Sequence, residues 1–233
     1  MRTVDVIIVG ASLSSAAAAK RLVDAGLETI VLERSQLPRH KICSGILSPR
    51  GHRFLLENFG PLPAEILHEP TSCRGVTFHF PSMVSMPMDF FGGSTPHLHR
   101  KFSDYWAIQR SGAEVHDQTS FTSLKDNGDH VIVTARKNGE PVEYRARQVI
   151  GADGPSSPVV RAVYPNIRSR FHGFLWDRSF MRSLTARWMN SIFISGFIQS
   201  WGTTLGATPA TGGKLLAWAS SAGIILPAST PTW

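Results

Sequence analysis

The run from Val4 to Val9 is short, rich in β-branched residues and apolar apart from Asp5, the pattern of a strand covered on both faces. Gly10 opens a turn after it. The small residues Ala16 to Ala19 follow in a stretch that reads as a helix lying close against a sheet. Gly26 closes that helix, where a positive φ is often required. Thr29 to Leu32 is a second apolar run, and it ends in Glu33-Arg34. Strand, tight turn, helix and a second strand ending in an acid form a βαβ unit.

Further along, Gln36 to Gly51 is a loop rich in turn formers and cations, and His52 to Asn58 reads as a short helix. Residues 74–90 alternate in part, as in Gly75 to Phe80, and predict short strands of a second layer. Arg100 to Gly112 reads as a helix with Phe102, Tyr105 and Trp106 on its apolar face. A β-meander follows. Its strands are Thr119 to Leu124, His130 to Ala135 and Val142 to Ala146, with turns at Asp126-Asn-Gly128 and Asn138-Gly139. Gln148 to Ile150 is a buried strand entering Gly151-Ala-Asp-Gly154. The expected fold class is α/β, a Rossmann-like domain with a β-meander and a partial antiparallel β domain. Residues 1–70 and 95–165 are assigned to the first domain, and 71–94 and 166–233 to the second.

Composition narrows the function classes. A chain of 233 residues with 42% hydrophobic content can bury a substantial core. The net charge of +7 and pI near 9.9 suit an anionic ligand. Nucleic acid is not expected, since the sequence has no dense Lys/Arg run with interleaved aromatics and no zinc-finger spacing. Two cysteines, Cys43 and Cys73, argue against a disulfide framework and fit a reducing compartment. Asp5 interrupts the first apolar run, which therefore does not read as a signal peptide, and no apolar stretch reaches membrane-spanning length. The expected location is cytoplasmic. No metal site is expected either: His97-x-His99 lacks a third ligand at useful spacing and reads as part of a loop or strand pair.

The βαβ unit carries the chemistry. Gly10, Ala11, Ser12 and Ser15 occupy the turn and helix start where a dinucleotide pyrophosphate is held by backbone amides and the helix dipole. A full Gly-x-Gly-x-x-Gly has glycine where this chain has Ser12 and Ser15. Ser12 adds a Cβ where little room is expected, although its hydroxyl can donate to a phosphate. Glu33 lies 23 positions after Gly10, close to the ~20 expected of an acid that accepts from a ribose hydroxyl. The bland alternative is a βαβ unit without a ligand.

Five features occur in order: the N-terminal βαβ, Lys41-Ile-Cys-Ser-Gly45, Leu47-Ser-Pro-Arg50, the Arg100-Lys-Phe-Ser-Asp104 helix and Gly151-Ala-Asp-Gly154. Together they resemble the FAD-dependent geranylgeranyl reductase family, within the p-hydroxybenzoate-hydroxylase-like flavoproteins, over roughly residues 3–165. The resemblance implies that Gly10 and its neighbours hold the FAD pyrophosphate and that Glu33 accepts from the adenosine ribose, with Arg34 flanking the adenine side. It implies Arg39, Lys41 and Arg100 as partners of phosphate or flavin-side groups. Asp153 and Gly154 would lie near the ribityl-diphosphate region. Arg100 as a surface cation and Asp153 as a turn former are the structural alternatives. Cys43 is the candidate at the reaction centre, against the alternative of a small buried hydrophobe. NAD(P)H or another reductant would supply electrons, and the partner would be an isoprenoid or other apolar small molecule, with peripheral membrane contact.

Beyond Pro165 the pattern changes. From Gly154 to Trp233 the only acid is Asp177, and five of the six Trp lie at positions 176, 188, 201, 218 and 233. The reductases carry a Gly-Asp-Ala-Ala-Gly motif in this region. Here Ala219-Ser-Ser-Ala-Gly223 is the nearest match, with Ser220 in place of the acid. The expectation is a shortened or altered member of the family. The leading function is hydride transfer from reduced flavin to isoprenoid C=C bonds. The alternatives are an FAD monooxygenase or halogenase, a non-catalytic flavoprotein remnant, and a plain NAD-binding module.

Overall fold

The computed structural model describes residues 1–79, 85–89, 93–154 and 156–165, together with the backbone of three strands at 207–210, 214–219 and 223–227. Its centre is β1 (Arg2–Val9), which pairs in parallel with β2 (Thr29–Leu32) on one side and with β10 (Glu140–Gly151) on the other. β7 (Glu114–His116) adds a further parallel strand beside β2. Beyond β10 the sheet turns antiparallel through β13 (Gly223–Pro227), β12 (Lys214–Ala219) and β11 (Ala207–Ala210).

The apolar run of β1 is explained by burial on two faces. Val6 and Ile8 belong to one core with Ala16, Ala19, Trp106, Ala107 and Ile108. Ile7 and Val9 belong to a second with Ile30, Leu32, Val133 and Val149. Successive side chains point to opposite sides, so a strand with a core on each face must be apolar throughout. The first core is roofed by α1 (Leu13–Asp24), α2 (Pro49–Phe59) and α3 (Arg100–Gln109). Within Ala16–Ala19 the fully buried residues are Ala16 and Ala19, one turn apart, which lets α1 approach the sheet closely. Gly26, at φ +80°, follows α1 as expected.

The second core is covered by the meander of β8 (Thr119–Asp126), β9 (Val131–Lys137) and the first half of β10. The expected strands 142–146 and 148–150 are one continuous strand, because β10 changes partners along its length without breaking. Its residues 140–146 pair with β9 and 148–151 pair with β13. Two small antiparallel pairs complete the described fold. These are β3 (Leu67–Cys73) with β6 (Thr95–Leu98), and β4 (Val76–His79) with β5 (Ser85–Met88). The α/β reading, with a parallel centre, a meander and a small antiparallel part, is the architecture found.

Several boundaries differ from expectation. The helix expected over 52–58 begins at Pro49, because Ser48 accepts from the Gly51 amide (3.1 Å) and Pro49 suits the first turn. The helix expected to reach Gly112 ends at Gln109, before Gly112 at φ +79°. At the first meander turn only Gly128 has positive φ, whereas at the second both Asn138 and Gly139 do.

A polar brace crosses the second core face. The Tyr144 hydroxyl lies 2.8 Å from His116 Nδ1, His116 Nε2 lies 2.7 Å from Glu114, and Glu114 takes Arg2 at 2.9 Å. The hydrogen bond from His116, with Arg2 alongside, holds the Glu114 carboxyl below its ordinary range. The unfolded chain therefore takes up the proton first, and the contribution is present above the ordinary Glu pKa of about 4.3 and lost as pH falls through the folded value. We expect the stability difference between wild type and Glu114→Gln, measured by urea unfolding, to be present at neutral pH and to vanish on acidification. A difference independent of pH would show that the charge plays no part.

Candidate functional site

The carboxyl ends of β1, β2 and β10 meet at one point, where ligands bind in open α/β sheets. The Gly10 amide donates to the Leu32 carbonyl (2.7 Å) and the Ala152 amide to the Val9 carbonyl (2.8 Å). Gly10 has φ +100°, and a Cβ there would stand 2.5 Å from the Ala152 carbonyl oxygen. Glycine is required on both counts, so the turn after β1 and the Gly151-Ala-Asp-Gly154 segment are packed backbone to backbone.

Glu33, at the end of β2, is 3% exposed. Its Oε2 accepts from the Ala11 amide (3.0 Å) and Arg39 Nε (2.8 Å), and its Oε1 from the Ser35 amide (3.0 Å). A carboxylate offers about four acceptor positions, so one on Oε1 is left for a further donor. Arg39 also donates to the Ala11 carbonyl (2.8 Å) and reaches Asp104 Oδ2 at 3.4 Å. Asp104, on α3 and 1% exposed, takes Arg100 Nε at 2.9 Å and its terminal nitrogen at 2.7 Å on Oδ1.

Glu33, Arg39, Asp104 and Arg100 thus form one chain of alternating charge, and Lys41 adds a third cation. Burial lowers the Lys41 pKa from its ordinary value, and Arg100 and Arg39 push the same way. Burial also opposes the Arg100 charge, but Asp104 and the adjacent Cys43 sulfur outweigh it and hold the guanidinium above its ordinary value. Three cations face two carboxylates here. The excess positive charge stands beside the turn after β1 and fits an anion.

The remaining residues divide by position. Ser12 and Ser15 are buried at the start of α1, where the Ser12 amide donates to Ser15 Oγ (3.1 Å) and the Ser12 and Ser14 hydroxyls are 2.7 Å apart. The Ser12 hydroxyl is therefore engaged within the helix start. Asp153 Oδ2 accepts from the Val159 amide (3.1 Å) near the start of α4 (Pro158–Val163), and Gly154 is exposed at φ +91°. Arg34 is exposed. Cys43 is exposed, whereas Cys73 is half-buried, and burial raises its thiol pKa. Ser220 lies outside the described residues.

Asp104 was not singled out by sequence reasoning as a site residue. The signal was its spacing of four from Arg100 on a predicted helix, a distance at which opposite charges meet. A cavity of about 350 Å³ lined by His52, Leu62, Leu67 and Pro96 lies elsewhere and shares no residue with this cluster.

Replacing Asp104 by Asn leaves Arg39, Arg100 and Lys41 crowded with one carboxylate fewer. We expect a loss of roughly 3–5 kcal/mol in chemical unfolding, against under ~1 kcal/mol for the exposed-pair control Asp24→Asn.

Comparison with known proteins shows the family. The model of a family described as FAD binding domain matches residues 100–221. A digeranylgeranylglycerophospholipid reductase of Methanosphaera stadtmanae is 32% identical over 165 residues, 67% of this chain and 41% of the relative. One from Methanothermobacter thermautotrophicus is 29% identical over 177 residues, 72% of this chain and 43% of the relative. The chain thus spans about two fifths of the length of these curated relatives. Among solved structures, a geranylgeranyl bacteriochlorophyll reductase-like protein of Thermoplasma acidophilum has a TM-score of 0.59 at 24% identity, over 70% of this chain and 42% of the other. A myxobacterial chondrochloren halogenase gives 0.58 at 21% identity, over 70% and 40%. This chain belongs to the FAD-binding domain family.

Proposed function

We propose that the protein is an FAD-dependent oxidoreductase of the geranylgeranyl-reductase type, acting on isoprenoid C=C bonds. The observation that carries this reading is the strand-end crevice, where Gly10 abuts Ala152 and three cations face two carboxylates. Relatives named digeranylgeranylglycerophospholipid reductases support the substrate class.

When bound, FAD supplies the hydride chemistry. The protein binds and orients. The Gly10–Ser15 turn and the start of α1 present backbone to the pyrophosphate. Glu33 Oε1 keeps an acceptor position for a ribose hydroxyl. Arg39, Lys41 and Arg100 offset diphosphate charge, and Asp104 keeps the two guanidiniums from drifting apart. Asp153 and Gly154 would serve the ribityl side of the bound cofactor, and Arg34 its adenine side. Cys43 stands beside Arg100, and as the residue at the reaction centre its Sγ would hold the proton that completes saturation. An isoprenoid chain fits an apolar partner held near a membrane surface. Among the described residues no helix is long and apolar enough to cross a membrane.

A monooxygenase or halogenase is the second reading, favoured by the near-equal fold similarity of the halogenase. The experiment is FAD reconstitution of the full chain. After anaerobic reduction, it is mixed with a geranylgeranyl lipid or, separately, with an aromatic acid and oxygen. Flavin reoxidation by the lipid without oxygen is the expected outcome. Turnover only with the aromatic acid and oxygen would establish the second reading, and failure to take up FAD would overturn both. We expect Arg39→Ala to weaken FAD binding about tenfold, the loss of one charge-assisted contact of ~1.4 kcal/mol, measured by flavin fluorescence titration. Gly10→Ala is expected to abolish binding, since its Cβ would collide with backbone.

A further inference from the structure

We infer that His97 is a positioning residue whose two ring nitrogens tie the Cys43 loop to β3, with both anchors available to the doubly protonated ring and one to the neutral ring. His97 lies in β6 and is 7% exposed. Its Nδ1 is 2.9 Å from the Pro70 carbonyl oxygen of β3, and its Nε2 is 2.9 Å from the Ser44 carbonyl oxygen of the loop. Backbone carbonyls only accept. A neutral imidazole carries one N–H, so it satisfies one of them and turns a lone pair toward the other, whereas the doubly protonated ring donates to both.

The loop is built around this ring. The Leu98 amide donates to the Gly45 carbonyl (2.8 Å) and the Leu47 amide to the Pro96 carbonyl (3.1 Å), and Ile46 bridges His97 as an added antiparallel partner of β6. Gly45 has φ +77°, and a Cβ there would stand 2.3 Å from the Leu98 carbonyl oxygen and 2.9 Å from the His97 ring. The glycine lets the loop lie directly on the imidazole. Cys43 and Lys41 follow immediately on the N-terminal side, so the His97–Ser44 bond is the tie nearest the thiol on this strip of pairing.

The titratable and charged groups on the surrounding elements are His68, Glu69 and Cys73 of β3, Lys41 and Cys43 of the loop, Arg50, His52, Arg53 and Glu57 of α2, and His99 with Arg100 after β6. His68 stacks on His97 at 4.8 Å and on His99 at 5.4 Å, and its Nδ1 lies 2.9 Å from the Glu69 carbonyl oxygen. His68 is therefore the group whose own titration must be separated from that of His97.

The consequence for catalysis rests on the function proposed above. The test needs no flavin and reads only the loop, so the two fail independently. Hydrogen exchange of the Leu47 and Leu98 amides in the full chain, as protection factors, is followed from about pH 5 to 8 together with the ¹⁵N shifts of the His97 ring. We expect protection to fall by roughly fivefold, one hydrogen bond, in step with ring deprotonation. His68→Phe should retain that step. His97→Gln donates in one direction only and should remove it, leaving protection flat at the lower level. Flat protection in the wild type, a His97 ring neutral throughout, or a step that survives in His97→Gln would each overturn the inference. If His97→Gln does not fold, the wild-type and His68→Phe series decide.

Discussion

A carboxylate as thoroughly enclosed as that of Asp104 stays ionised only if cations and hydrogen bonds replace the water it has lost. Arg100 does this from the same helix, and Arg39 does it from the loop after β2. Because Arg39 also grips Glu33 and the Ala11 carbonyl, the requirement of one buried charge fastens α3, the end of β2 and the turn after β1 to one another. Each guanidinium is directional, so these contacts set orientation as well as proximity. The crevice is thereby organised before any ligand enters, which lowers the ordering cost of binding.

Much of the centre was legible because its physics is local. The Val4–Val9 run, the positive-φ glycines at 10 and 26 and the Asn138-Gly139 turn announce their conformations through side-chain branching or its absence. The elements that were not legible depend on distant partners. β7 is three residues long with Glu114 and His116 at its ends, and only pairing with β2 makes it a strand. β3 and β6 contain Pro70 and Pro96, which argue locally against a strand, yet both occur in short two-stranded pairing.

The site shows the same division. Gly10, Ala11 and Glu33 converge where the βαβ pattern placed them, Arg39 joins them as a residue the family resemblance implied, and Arg100 is tied to Asp104 where a surface cation was the alternative. What sequence could not supply was the company each residue keeps. The Ser12 hydroxyl is turned to its neighbours in the helix start, and Asp153 accepts from the backbone of the helix that follows it. Short polar side chains have nearby backbone groups within reach, and which they choose is settled by three-dimensional placement.

β13 has a consequence beyond completing a sheet. It pairs with residues 148–151, the part of β10 that leads directly into Ala152 and Asp153. Without that neighbour, four residues of a long central strand would present unpaired N–H and C=O groups to solvent, a template for pairing between separate molecules. A polypeptide cut before residue 223 would therefore be prone to self-association at the very strand that shapes the crevice, and its solubility would depend on a segment remote in sequence but paired with that strand.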